Sequence, residues 1–469
     1  MDHADWERAA AIYLPLTAAI IARLLNGRRP RQFAACLLSV FWTVPSLLVL
    51  QRLNEYAGWW DFAAGSAVVF RGMPLELFLG WALLWGLIPQ LALPRLGIVW
   101  SAAVMVAVDC ISMPMCSPAI HLKPHWLIGE AVAVAVVLIP ALAIGKWTRN
   151  NLHLRRRAAL QIATSGLLFL FLVPEIIFAL RPGTGWAPLF HLSSWARQVD
   201  LQILLVLAVP GIAAVMEFAE RGHGTPIPYD PPQRLVTSGI YRYCANPMQV
   251  SCTLVMLAWA CLLRNGWMLM AACVSVVYSA GIAAWDERED LARRFGKDWQ
   301  DYRSAVGNWW PRWRPYHAGP LARVYIARSC GPCSEVRTWL EARTPLGLRM
   351  VDAETLPAGS IRRMRYDPAD GNEAVDGVRA MGRALEHINL GWALCGAVLR
   401  LPGIWQLLQL FMDAAGLGPR EISCKTELAT RQTASGTDLY PNPAGDSGIK
   451  PLHSASHSSV YDNQGILSH

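Results

Sequence analysis

The stretch Gly222-His223-Gly224-Thr225-Pro226-Ile227-Pro228, continued by Leu235-Val236-Thr237-Ser238-Gly239-Ile240-Tyr241-Arg242-Tyr243 and closed by Asn246-Pro247-Met248, decides how the chain is read. It is a polar loop that leads directly into two apolar runs. Pro226, Pro228, Pro231 and Pro232 rule out a helix, and the polarity of 219–247 rules out a span, so the segment caps a membrane domain as ordered loop. Such a loop can present backbone donors and acceptors to a ligand. Gly239 can take a positive φ or let a ligand approach the backbone, and Pro247 suits the first turn of a helix re-entering lipid.

Composition extends this to the whole chain. Hydrophobic residues make up 54% of the sequence and charged residues only 16%, with 21 Trp, which places most of residues 1–286 in lipid. Apolar runs at 9–25, 34–50, 76–93, 97–114, 126–145, 158–180, 201–218, 248–263 and 267–285 lie near the roughly 20 residues a membrane helix needs, giving nine spans. The first run has no basic residue before Arg8 and no small-residue cleavage site, and reads as a retained helix. Arg28, Arg29 and Arg31 follow the first run, and Lys146, Arg149, Arg155, Arg156 and Arg157 follow the fifth, so both loops are expected in the cytoplasm. Nine spans then put the N-terminus outside, and the loop 221–247 and everything after Asp286 inside. The expected location is the inner membrane of a bacterium, since only five of the 42 basic residues are Lys, a bias of GC-rich genomes. The net charge of +8 follows from topology and attraction to anionic headgroups; no basic-aromatic array indicates a nucleic acid.

The fold class expected is mainly α: a polytopic transmembrane bundle with a small cytoplasmic α/β domain and a disordered tail. Residues 1–150 form a five-span unit of unassigned role, in which Glu76, Asp109 and Glu130 sit in or beside apolar runs, as Glu175 does further on. Residues 151–317 form a four-span unit, 318–420 the α/β appendage, and 421–469, rich in Ser, Thr, Asn and Gly without hydrophobic period, the tail.

From about Glu220 to Pro315 the order of elements resembles the membrane methyltransferases typified by isoprenylcysteine carboxyl methyltransferase and the phospholipid methyltransferases. The loop carries Leu235, Val236, Gly239, Tyr241, Asn246, Pro247 and Met248. Glu287, Glu289, Phe295-Gly296, Trp299 and Tyr302 follow the last run. The resemblance implies S-adenosyl-L-methionine as methyl donor, enclosed by those loop positions and by Glu287 and Glu289, whose carboxylates would bind its amino group or ribose and favour its sulfonium. Ala245 and Gln249 depart from the Arg and the aromatic common among these relatives. It also implies a membrane lipid, isoprenoid or prenylcysteine-type acceptor. No residue is assigned a catalytic role. Leu291, Phe295, Trp299 and Tyr302 share one face of an amphipathic helix, with Trp309, Trp310 and Trp313 extending an aromatic belt.

Of the eleven Cys only Cys330 and Cys333 form a motif. The β-branched and aromatic run Arg323–Arg328, the pair in Cys330-Gly331-Pro332-Cys333 and the helical pattern Ser334–Arg343 have thioredoxin-like order. The helix dipole would stabilise the Cys330 thiolate, with Cys333 resolving. Tetrahedral zinc wants four ligands and only two are local, so no metal is expected. Arg365-Tyr366-Asp367 to Asp370-Gly371, Gly377–Ala380 and Ala393–Pro402 resemble the small thiol-disulfide oxidoreductases named for a DCC motif, although Ser329 replaces its Asp-containing lead. A thiol-redox partner protein is implied. Two rival functions stand beside this one: a sterol-type reductase using NADPH on a similar scaffold, and a non-catalytic membrane scaffold with thiol-exchange activity.

Overall fold

The computed structural model describes residues 3–27, 31–63, 68–117, 119–226, 231–357, 359–368 and 370–419, with the side chains of 3–5, 278 and 282–288 excepted. Arg28, Arg29, Ile227, Pro228, the Glu287 side chain and the expected tail 421–469 lie outside the described residues.

Among the described residues, seven helices are long and apolar enough to cross a membrane. They are α1 (His3–Asn26), α2 (Gln32–Ala57), α3 (Leu75–Ala92), α4 (Ile98–Met115), α5 (Trp126–Asn150), α6 (Leu154–Leu180) and α7 (Ser194–Gly222). The eighth and ninth expected runs form shorter apolar helices, α8 (Pro247–Leu262) and α9 (Gly266–Tyr278). Sixteen residues of α8 reach about 24 Å, less than the ~30 Å hydrocarbon core. Helix α9 runs on through Ser279–Ala283 into α10 (Ala284–Ala305), which breaks at Gly296 where φ is 52°.

Some hydroxyls and indoles in the bundle return their hydrogen bonds to backbone. Ser39 Oγ donates to Ala141 O at 2.9 Å and Trp42 Nε1 to Val136 O at 3.1 Å, which ties α2 to α5, while Thr43 Oγ1 bonds Ser39 O at 2.7 Å within α2. Two of the cations expected in the loop after the fifth run lie within α5 and α6 and act as staples. Lys146 Nζ donates to Leu93 O and Leu96 O, both at 2.8 Å, and fully buried Arg157 bonds Trp147 O at 3.2 Å. Near the other end of the bundle the strands β1 (Trp60–Phe62) and β4 (Ile120–Leu122) pair antiparallel, while β2 (Val69–Phe70) and β3 (Met73–Pro74) form a small hairpin. Glu175 is met there by Arg52 at 2.7 Å, Arg71 at 2.8 Å and Trp186 Nε1 at 2.8 Å.

The appendage has four strands, β5 (Ala322–Ile326), β6 (Leu348–Asp352), β7 (Arg365–Asp367) and β8 (Val375–Asp376), in the order β6-β5-β7-β8. Strand β6 is parallel to β5, whereas β7 is antiparallel to β5 and β8 to β7. The single parallel pair needs a crossover, and α11 (Gly331–Glu341) supplies it. Helix α12 (Gly377–Leu385) follows the sheet. Two further helices, α13 (Leu390–Leu399) and α14 (Ile404–Met412), bend by 84° at the Pro402-Gly403 break.

Candidate functional site

The last turns of α7 widen at Phe218–Gly222, and the loop after it folds back over Glu217. Ser238 Oγ donates to Glu217 Oε1 at 2.5 Å. Gly239 has φ +60°, and a Cβ there would lie 2.9 Å from the Glu217 carboxylate, so both backbone and space require glycine. Residues Gly239–Arg242 make a 3-10 turn that puts Tyr241 flat on Phe218, with ring centroids 5.1 Å apart.

Backbone groups of this turn and the residues after it are engaged by the last turns of α10 and the chain that follows. Tyr302 Oη donates to Tyr241 O at 2.8 Å, Tyr316 N to Arg242 O at 2.8 Å and Arg312 N to Tyr243 O at 2.9 Å. Ala245 N and Asn246 N donate to Gly307 O at 2.9 Å and Asn308 O at 3.2 Å. Tyr302, expected among interfacial anchors, is instead buried against Ala245 and Val306, whereas Trp310 and Trp313 are exposed. Burial raises the Tyr302 phenol's pKa above its ordinary value.

The structure thus gathers most of the loop residues singled out from sequence. Val236, Tyr241 and Pro247 are buried, Leu235, Asn246 and Met248 half-buried, and Met248 packs against the cluster of Val236, Ile240 and Tyr241. Glu289 stands apart on the exposed face of α10, paired with Arg293 at 3.1 Å. Five residues on, the Arg294 guanidinium reaches Pro232 O, so α10 and the loop touch.

Glu217 itself was not singled out in the sequence. One Glu at a helix end beside Glu220-Arg221 looks like the end of a span. In the structure it is wholly buried and anchors an ion cluster joining α7 to the appendage. Arg383 Nη1 lies 2.7 Å from Glu217 Oε1 and Arg383 Nη2 2.8 Å from Glu220 Oε2. Arg400 meets Glu217 at 3.1 Å and Glu386 at 2.6 Å, and Arg221 meets Asp370 at 3.2 Å. Burial opposes the Arg383 charge, yet Glu217, Glu386 and Glu220 raise its pKa well above the ordinary guanidinium value.

Beside this cluster lies a polar cavity of about 560 Å³. Glu220, Arg221, His223 and Arg234 come from the loop side, Arg155 and Arg156 from the start of α6, and Asn372 and Arg379 from the appendage. Most of the cations are spent: Arg155 faces Glu373 at 4.0 Å and Arg379 faces Glu220 at 3.6 Å. Among the described residues, exposed Arg156 and Arg234 have no ion-pair partner. The cavity therefore carries a positive surplus.

In the appendage, Cys330 is the residue before α11 and Cys333 lies in its first turn. Glu354 Oε1 accepts from Arg328 N at 2.8 Å and from Ser329 N and Oγ at 2.9 Å, fixing the approach to Cys330. Burial opposes its ionisation, but these donors hold its pKa below the ordinary carboxylate value. Both cysteines line a second cavity, of about 520 Å³.

With that geometry in place, comparison adds one match: the phospholipid methyltransferase family matches residues 205–298. The matched segment runs from α7 through the loop, α8 and α9 into α10. It supports a methyltransferase, and the seven apolar helices support a membrane-bound one. No curated protein and no solved structure matches.

Proposed function

We propose that the chain is an integral membrane methyltransferase that transfers the methyl group of S-adenosyl-L-methionine to an anionic, membrane-embedded acceptor. The donor would lie between the loop 231–248 and the start of α10, the two halves of a split site, with Glu287 as its first carboxylate and Glu289, which would have to leave Arg293, as its second. The contact of Arg294 with Pro232 supports that pairing. The acceptor class rests on one observation, the surplus of cationic groups at Arg156 and Arg234 in a cavity walled by the same loop. An anionic headgroup drawn there would attack the sulfonium methyl in line. That step annihilates two charges, and a site drier than water favours it. No covalent enzyme intermediate is needed. We place the loop and the appendage on the cytoplasmic side of an inner membrane, where the donor is made.

The appendage is, in the same proposal, a thioredoxin-like redox module. Its strand order, its single parallel pair and a Cys-x-x-Cys at the start of the crossover helix support this. Cys330 would be the attacking thiol and Cys333 the resolving one, and a thiol-redox partner protein is one candidate substrate. The test of the methyltransferase reading is equilibrium binding to purified protein in lipid nanodiscs. Competable binding of S-adenosylhomocysteine supports it, whereas binding of NADPH in its place overturns it in favour of a reductase.

A further inference from the structure

The cavity beside the cysteines differs in kind from the basic one. Ile326, Val336, Met364, Val378 and Met381 line it from the sheet and its helices, and Leu408 and Met412 close it from α14. The polar groups there are mostly engaged within the protein. Arg363 Nη2 meets Asp413 at 2.6 Å, Gln409 bonds Val378 N at 3.0 Å and Asp413 at 2.9 Å, and Ser329 Oγ bonds Glu354. Arg362 is exposed. A volume of about 520 Å³ falls in the range of small-molecule sites, roughly 300–1,000 Å³.

Helix α14 also has an outer face. Leu407, Leu410 and Phe411 are 58%, 65% and 69% exposed, a contiguous apolar surface on a chain with seven membrane-length helices. Leu408 and Met412, at i and i+4, face the cavity, so one helix separates the cysteines from a surface suited to lipid.

We infer that this cavity binds a neutral lipophilic disulfide taken from the membrane and presents it to Cys330, an inference that rests on the redox reading of the appendage. The Cys330 thiolate attacks one sulfur of the alkyl disulfide. A mixed disulfide forms, and the first alkyl thiolate leaves and takes a proton from water. The Cys333 thiolate then attacks Cys330 Sγ, the Cys330–Cys333 disulfide forms, and the second alkyl thiolate leaves. The ligand gains two electrons and becomes two thiols, while the protein loses two. A dithiol such as dithiothreitol restores the reduced pair by the reverse exchange. The lining contributes by burying alkyl chains, at roughly fourfold in affinity per methylene taken from water.

The experiment uses the full-length, prereduced protein in one detergent and measures oxidation of the pair by dioctyl disulfide and by the small hydrophilic hydroxyethyl disulfide. The readout is the ratio of the two rates, compared across wild type, Met381→Lys and the milder Leu408→Ser, each checked for native circular dichroism. Taking the ratio between proteins cancels partitioning of the alkyl compound into micelles. The expected result is a ratio at least tenfold higher in wild type than in Met381→Lys, with Leu408→Ser between them. Exchange with both disulfides at a ratio that neither substitution changes overturns the cavity while leaving the redox module intact. Failure to exchange with either disulfide in wild type overturns the redox reading and this inference with it.

Discussion

Glu217 organises the loop, and one glycine makes room for it. The sequence announced Gly239 as a position needing positive φ or a close approach, and both apply, although the group approaching it is the Glu217 carboxylate. The role of Glu217 was not legible, because its partners Ser238, Arg383 and Arg400 lie 21, 166 and 183 residues away. Removing one member of a buried ion cluster leaves uncompensated charge, so Arg383→Met should cost about 3–5 kcal/mol in denaturant unfolding. A loss under about 1 kcal/mol would show that the cluster is not closed as described. The carboxylates proposed for the donor, Glu287 and Glu289, lie in α10. Glu287→Ala should weaken S-adenosylhomocysteine binding by roughly 1.5–3 kcal/mol, the scale of one charge-assisted hydrogen bond, and unchanged affinity in folded Glu287→Ala and Glu289→Ala proteins would refute the split site. His387 supplies a pH test. Its ring is fully buried between Tyr366 Oη at 3.0 Å and Leu346 O at 2.7 Å, and burial, with Arg242 adding, lowers its pKa well below the ordinary imidazole value of 6.5. Its contribution is therefore full above pH 6.5 and is lost as the pH falls toward the depressed folded value. Thermal stability should fall from pH 7 to pH 5, with a slope that His387→Gln reduces.

Element by element, the strand, cysteine pair and helix of the appendage could be read locally, since a β-branched run ending in Cys-x-x-Cys and an amphipathic pattern are short-range signals. The packing of the last two helices could not. Helix α13 lays Ala397 and Val398 against Val209 and Ala213 of α7, an interface formed by residues almost 190 positions apart, and its crossing with α12 depends on small residues. A Cβ at Gly396 would lie 2.3 Å from Gly382 O, which is backbone and cannot give way cheaply. Gly396→Ala should therefore destabilise by about 1–3 kcal/mol. A neutral or stabilising result in denaturant titration would mean that α12 and α13 cross more loosely. The amphipathic period of α10 was visible, but the period alone does not say what covers a face. Tyr302 went to the core because Tyr241 O needed a donor there.

Across the whole chain, composition gave membrane residence, because it is a statement about burial of backbone in lipid. Orientation rests on the basic loops, and Lys146 and Arg157 show that such charges can also serve as buried staples. Cysteine labelling in intact cells on a cysteine-free background should leave Thr237→Cys protected and Ser194→Cys accessible, and the reverse pattern would invert the topology. The most direct measurement of the central claim is titration of the purified protein in nanodiscs with labelled S-adenosyl-L-methionine, displaced by S-adenosylhomocysteine or by NADPH. Saturable binding displaced by S-adenosylhomocysteine alone, and weakened in Glu287→Ala, is the expected result; no donor binding, or displacement by NADPH, contradicts the account.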